Sequence, residues 1–138
     1  MPSPATLAAG FRVMAQREVA ERLAAGAGDD AYGIPSVLLS LRARARVGGA
    51  VAPEVFYPRP RVASALVEVT RLEQPLADGE AARRVAELVR RGFGQRRKTL
   101  RRSLGLTDDV FAAAGSDPAA RPEVLDAAAW VRLAEALR

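Results

Sequence analysis

Arg96, Arg97, Lys98, Arg101 and Arg102 put five basic side chains into seven positions, within Phe93-Gly94-Gln95-Arg96-Arg97-Lys98-Thr99-Leu100-Arg101-Arg102-Ser103-Leu104. No Asp or Glu occurs from Leu88 to Thr107. Guanidinium groups at this density suit phosphate oxygens, which they hold in bidentate, salt-sensitive contacts. An arginine-rich helix cannot be buried unpaired, so it needs acidic neighbours, solvent or a polyanion. On helical spacing Arg97 neighbours Arg101, and Lys98 lies beside Arg101 and Arg102. Leu100 and Leu104 would anchor the other side. Two readings fit this run equally: a nucleic-acid grip, or a solvated face paired with Glu87, Asp108 and Asp109.

A second constellation is Val55-Phe56-Tyr57-Pro58-Arg59-Pro60-Arg61-Val62-Ala63-Ser64. Prolines beside an aromatic pair stiffen an extended loop, and Arg59 and Arg61 alternate with them. A ring held in this way can stack on an extruded base, worth about 1–3 kcal/mol. Equally, Phe56 can plug a core, which is the commoner fate of a single Phe. In Gln16-Arg17-Glu18-Val19-Ala20-Glu21-Arg22-Leu23, acids and bases alternate at i, i+3 and i+4, so an ion-paired surface helix suffices. Gly26-Ala27-Gly28 lacks the rest of any dinucleotide fingerprint.

The chain has no Cys and no His. That removes disulfides, Cys/His metal sites, thiol nucleophiles and imidazole acid–base catalysis from its repertoire. No catalytic residue and no metal ligand set is therefore assigned. A net charge of +5 favours an anionic partner. No apolar run reaches the roughly 18 residues that would span a bilayer, and residues 1–10 carry no charged segment followed by an apolar core of the signal-peptide kind. Cytoplasmic residence and no membrane partner are the expectations.

These residues need elements to position them. Periodicity and composition predict a strand at Phe11–Ala15, a helix at Glu18–Ala24, a helix at Ser36–Leu41 and an Arg-bearing strand at Arg42–Val47. Val62–Val69, apolar and β-branched, is predicted as a third strand, and Glu73–Gly79, with Pro75 and Gly79, as a linker. Beyond it the pattern is helical: one stripe from Val85, Leu88, Val89 and Phe93, another from Leu100 and Leu104, then a short helix with Val110 and Phe111. A last helix, capped by Asp126, carries Trp130, Leu133, Ala134 and Leu137. Three strands neither close a barrel nor make a self-sufficient parallel sheet. The front half reads as incomplete.

In this order the pieces resemble the small-subunit (16S) rRNA adenine dimethyltransferase family, kin to the macrolide-resistance rRNA methylases. The resemblance runs through Val13–Leu23, Tyr32-Gly33-Ile34-Pro35-Ser36-Val37, Phe56–Ala65, Phe93–Arg101 and Gly115–Glu123, nearly all of Phe11 to Leu137. The Phe-x-Pro-x-Pro-x-Val string from Phe56 and the Phe-x-Gln-Arg-Arg-Lys-Thr-Leu-Arg string from Phe93 are each fairly specific. Ala63 departs from the family, which often has Asp there.

The resemblance implies an α/β piece (the last strands of a Rossmann-like methyltransferase sheet, residues 1–72) followed by an all-α, rRNA-binding helical bundle (residues 80–138). It implies dimethylation of N6 on two adjacent adenosines near the 3′ end of 16S rRNA, with S-adenosylmethionine as methyl donor and the small ribosomal subunit as partner. In the family the donor sits in Gly-rich loops and the target N6 on an Asn-Leu-Pro-Tyr motif. Neither motif occurs here. The expectation is a chain that lacks the donor-binding N-terminal half, binds no donor and transfers no methyl group alone. By resemblance, Phe56 matches the adenine-stacking aromatic, with Arg59 and Arg61 beside it, and Arg96, Arg97, Lys98, Arg101 and Arg102 match an rRNA-backbone contact. A non-catalytic rRNA or ribosome-assembly binding module is the alternative.

Overall fold

The computed structural model describes residues 10–51 and 64–137. It begins with strand β1 (Gly10–Gln16), helices α1 (Arg17–Ala24) and α2 (Ile34–Ser40), and strands β2 (Ala43–Val51) and β3 (Ser64–Arg71). Helices α3 (Gly79–Gly94), α4 (Leu100–Leu104), α5 (Asp108–Ala114) and α6 (Ala127–Ala136) follow, with a 3₁₀ turn at Pro122–Val124. The predicted strands and helices all appear, with ends displaced by a few residues.

The three strands form a wholly antiparallel sheet in the order β1-β3-β2. β1 and β2 thus run parallel to each other, joined by the α1–α2 crossover, and β3 fills the space between them. Alternation along β3 buries Ala65, Val67 and Val69, which pack with Ala20 of α1, Ala43 of β2 and the partly buried Leu39 of α2. On the other face Glu68 faces Arg12 and Arg46 in register, at 3.5 Å and 2.7 Å. The hydrogen bond and charge of Arg46 hold the Glu68 carboxyl below the usual carboxylate range against the opposing effect of burial, with a lesser contribution from Arg12.

The larger core belongs to the helices. Val85, Leu88 and Val89 of α3 meet Leu100, Leu104, Phe111, Trp130 and Leu133. Asp78 and Asp126 cap α3 and α6, accepting from the backbone N–H of Gly79 and Ala129 at 2.8 Å. Leu137, expected on the apolar stripe of α6, is instead 43% exposed, because the helix ends at Ala136.

This core also takes in Tyr32, Val37, Leu41 and Ala77. The Glu73–Gly79 stretch is irregular up to the start of α3; within it the Leu76 N–H donates to the Leu41 carbonyl (2.8 Å), and just before it the Leu72 N–H donates to the Arg42 carbonyl (2.9 Å). Pro75 and Gly79 shape that path without freeing it. Buried Ser36 fastens α2 to α1: its hydroxyl donates to the Arg22 carbonyl and accepts from the Gly33 N–H.

Trp130 is fully buried and lies so close to α3 that a Cβ on Gly92 would stand 2.7 Å from its Cη2. The rigid indole has no room to retreat in a packed core. Gly92→Ala is therefore expected to destabilise the protein by about 1–3 kcal/mol. Gly94→Ala, with open space at the Cβ, is expected to be neutral or slightly stabilising. Urea unfolding of both variants measures the difference.

Candidate nucleic-acid interface

The basic segment is not one helix. α3 stops at Gly94, Gln95 leaves helical geometry (φ −129°, ψ 56°), and Arg96, Arg97 and Lys98 occupy a turn before α4 begins at Leu100. The expected i, i+4 neighbourhood of Arg97 with Arg101 is thereby overturned. The cause lies in the 118–120 loop. The first N–H groups of α4, on Leu100 and Arg101, donate to the carbonyls of Ala120 (2.8 Å) and Pro118 (2.9 Å). Those donors are unsatisfied within any helix, and the loop's claim on them makes a fresh helix start at Thr99 favourable.

The turn divides the cations by task. Arg96, though 44% exposed, is tied to the fold: its Nη2 donates to the Tyr32 carbonyl at 3.0 Å and its guanidinium lies 5.5 Å over the Phe93 ring. Glu123 stands near its Nε at 3.9 Å. Arg101 is paired with Asp108 at 3.1 Å, as the solvated-face reading expected. Arg91 also serves the fold, donating to the Leu104 carbonyl at 2.6 Å. Arg97, Lys98 and Arg102 are exposed and make no ion pair among the described residues. Arg90 of α3 is likewise exposed without an ion pair among the described residues.

The sequence-derived substrate loop, with Phe56, Arg59 and Arg61, lies outside the described residues. Residues that the sequence reading quoted without a role turn out to set the site's frame. Tyr32 is buried, its Oη donates to the Leu125 carbonyl at 2.6 Å, and its ring meets Phe93 edge-on at 6.0 Å. Burial first, then the charge of Asp126, pushes its phenol well above the usual tyrosine range, so it remains a donor. Glu123, Arg96's partner, gave no signal beyond its place in the Gly115–Glu123 string. Between these elements lies an open cleft of about 310 Å³, lined by Arg22, Asp30, Tyr32, Gly33, Phe93 and Arg96.

In the Gly26–Gly28 loop two amides are engaged: Gly26 N–H donates to Asp29 Oδ2 and Gly28 N–H to the Glu123 carbonyl, both at 2.8 Å. Among the described residues no three acidic side chains gather as a metal site would require, and no helix is long and apolar enough to cross a membrane.

The family model for ribosomal RNA adenine dimethylase matches residues 5–136. The ribosomal RNA small subunit methyltransferase A of Nocardia farcinica is 47% identical over 131 residues, covering 88% of this chain and 45% of that protein. Its counterpart in Sphingopyxis alaskensis is 47% identical over 128 residues, covering 91% of this chain and 46% of that protein. The chain thus spans a little under half the length of these curated relatives. Among solved structures, a 23S rRNA methyltransferase, ErmE, superimposes with a TM-score of 0.66 at 22% identity, over 99% of this chain and 62% of that one. A dimethyladenosine transferase from Plasmodium falciparum gives 0.70 at 19% identity, over 91% and 55%. At such identities the likeness is one of fold.

The two arginines at the turn are expected to fail differently. Arg96→Ala removes a bond to a buried backbone carbonyl and a cation over a ring, and should cost roughly 1–2 kcal/mol. Arg97→Ala should leave stability within about 0.5 kcal/mol. Thermal melts of the two variants distinguish them.

Proposed function

This chain belongs to the ribosomal RNA adenine dimethylase family, and from that premise we propose that it supplies the rRNA-binding part of an S-adenosylmethionine-dependent 16S rRNA adenine dimethyltransferase. The observation that carries this reading is the exposed set Arg97 and Lys98 of the turn and Arg102 of α4, which make no ion pair among the described residues, beside Arg96 and Arg101, which bond to other parts of the fold. Phosphate is the ligand such a trio suits, because each contact releases a counterion from the nucleic acid. The helical residues 80–138 present the trio, and residues 1–72 are the last part of the methyltransferase domain. The small ribosomal subunit is the partner and the cytoplasm the place. Phe56, with Arg59 and Arg61, stacks on the target adenine.

The donor chemistry is assigned elsewhere in the enzyme. The sequence carries no Gly-rich donor fingerprint, and the Gly26 and Gly28 amides are already bonded to Asp29 and Glu123. The second reading is a non-catalytic rRNA-binding or assembly module. It is favoured by one fact: the cationic trio makes no use of a methyl donor.

Filter binding of 16S rRNA at about 50 and 200 mM salt tests the grip. Affinity should fall steeply with salt, and Arg97→Ala, Lys98→Ala and Arg102→Ala should each lower the salt slope by about 1. Affinity that ignores both salt and these substitutions would overturn the proposal. Incubation of the chain alone with labelled S-adenosylmethionine and unmethylated small subunits should transfer no label; incorporation would show that the donor site lies within this chain after all.

A further inference from the structure

The open cleft of about 310 Å³ between the 30–33 segment and the end of α3 has a size that suits a small ligand. Its walls are fixed before any ligand arrives. The Tyr32 hydroxyl donates to the Leu125 carbonyl at 2.6 Å, and Arg96 ties one wall to the other by donating to the Tyr32 carbonyl at 3.0 Å. A ligand entering a cleft held in this way loses little binding energy to ordering the protein.

The lining carries charges of both signs. Arg22 is exposed, and its ion pair with Glu18 is 3.6 Å long, between two exposed side chains. That separation is too long for a hydrogen bond, and such a surface pair contributes little, so Arg22 can turn to a better anion. Arg96 is partly exposed above the Phe93 ring, and a guanidinium so held offers a planar surface on which a base can stack. Asp30 lines the same cleft, is exposed, and makes no ion pair or side-chain hydrogen bond among the described residues.

The carboxylate decides the ligand class. A bare phosphate would be drawn to Arg22 and Arg96 and repelled by Asp30, so the cleft fits a ligand with an anion at one end and N–H donors at the other. An ionised Asp only accepts hydrogen bonds, through two oxygens side by side. Among the RNA bases guanine alone presents two adjacent donors, N1–H and the 2-amino group, on its Watson–Crick edge. Adenine and cytosine place a ring-nitrogen acceptor beside their amino group, and uracil flanks its single N–H with carbonyls.

We propose that this cleft binds one unpaired guanosine nucleotide of the rRNA, with Asp30 accepting from N1–H and the 2-amino group, the base on Arg96 and an adjoining phosphate on Arg22. This rests on the rRNA-binding reading above and adds a base-reading pocket to a backbone grip. Arg97 and Lys98 follow Arg96 directly on the turn, so a strand whose phosphates cross them has the cleft next along its path.

The full 138-residue chain is titrated by fluorescence anisotropy, at about 100 mM salt, against labelled oligouridine carrying one central guanosine, adenosine or cytidine, or none. The guanosine oligomer should bind about tenfold more tightly than the other three, as a bidentate base contact requires. Asp30→Ala, at an exposed position, should abolish that preference without lowering affinity for plain oligouridine, because it removes both acceptors and a repelling charge. A merely structural role for Asp30 would lower all four affinities together. Arg22→Ala should weaken all four oligomers and keep the preference for guanosine. Equal affinity for the four, preference for another base, no binding of any oligomer, or a guanosine preference that survives Asp30→Ala would overturn the pocket. Filter binding of 16S rRNA separates the two proposals: salt-sensitive rRNA binding without a guanosine preference removes the pocket and leaves the grip standing, whereas loss of both removes both.

Discussion

Tyr32 joins parts of the chain that are ninety-three residues apart in sequence: its hydroxyl donates to the Leu125 carbonyl while its own carbonyl accepts from Arg96. The Phe93 ring lies against both Tyr32 and Trp130 at 6.0 Å, so one aromatic step leads from this clasp to the centre of the helical core. Gly28, whose N–H donates to the Glu123 carbonyl, adds a third tie. The Tyr32–Leu125 bond is buried, so either group left unbonded there would cost about 1–3 kcal/mol. The 26–33 loop is thereby locked to the helices, and with it the relation between sheet and bundle.

From that lock the character of the basic turn follows. Arg96 is drawn inward to complete it, and the start of α4 is drawn to the 118–120 loop. The chain must bend sharply at Gln95–Thr99, and the bend projects Arg97 and Lys98 into solvent. A continuous helix would have spread the same charges around its circumference. The turn therefore acts as a sorting device, bonding some arginines into the fold and leaving others exposed.

The sheet shows the opposite economy. Its three strands pair antiparallel, with a register shift only between β2 and β3. Glu68, held ionised between Arg12 and Arg46, satisfies the charges on the open face near β1 without covering the apolar side chains beside them. Among the described residues β1 pairs on one side only, and the chain spans a little under half the length of the curated relatives named above.

Local pattern by itself determined the elements. Period-2 alternation in Ser64–Arg71, the Val85/Leu88/Val89 stripe and the Asp126 cap all declare themselves within a few residues, because strand and helix periodicities are short-range properties. The motif order also disclosed the family, while the absence of Cys and His bounded the chemistry. What only tertiary structure decided was the allocation of like residues to unlike work. Nothing near Arg96 in sequence says that it will meet Tyr32 and Glu123, or that Arg101 will be taken by Asp108 while Arg102 is left free. Nor does the Pro75–Gly79 composition reveal that its path is bonded to the α2–β2 corner. These outcomes depend on partners far away along the chain, and side-chain periodicity carries no information about which distant carbonyl or carboxylate will be brought within 3 Å.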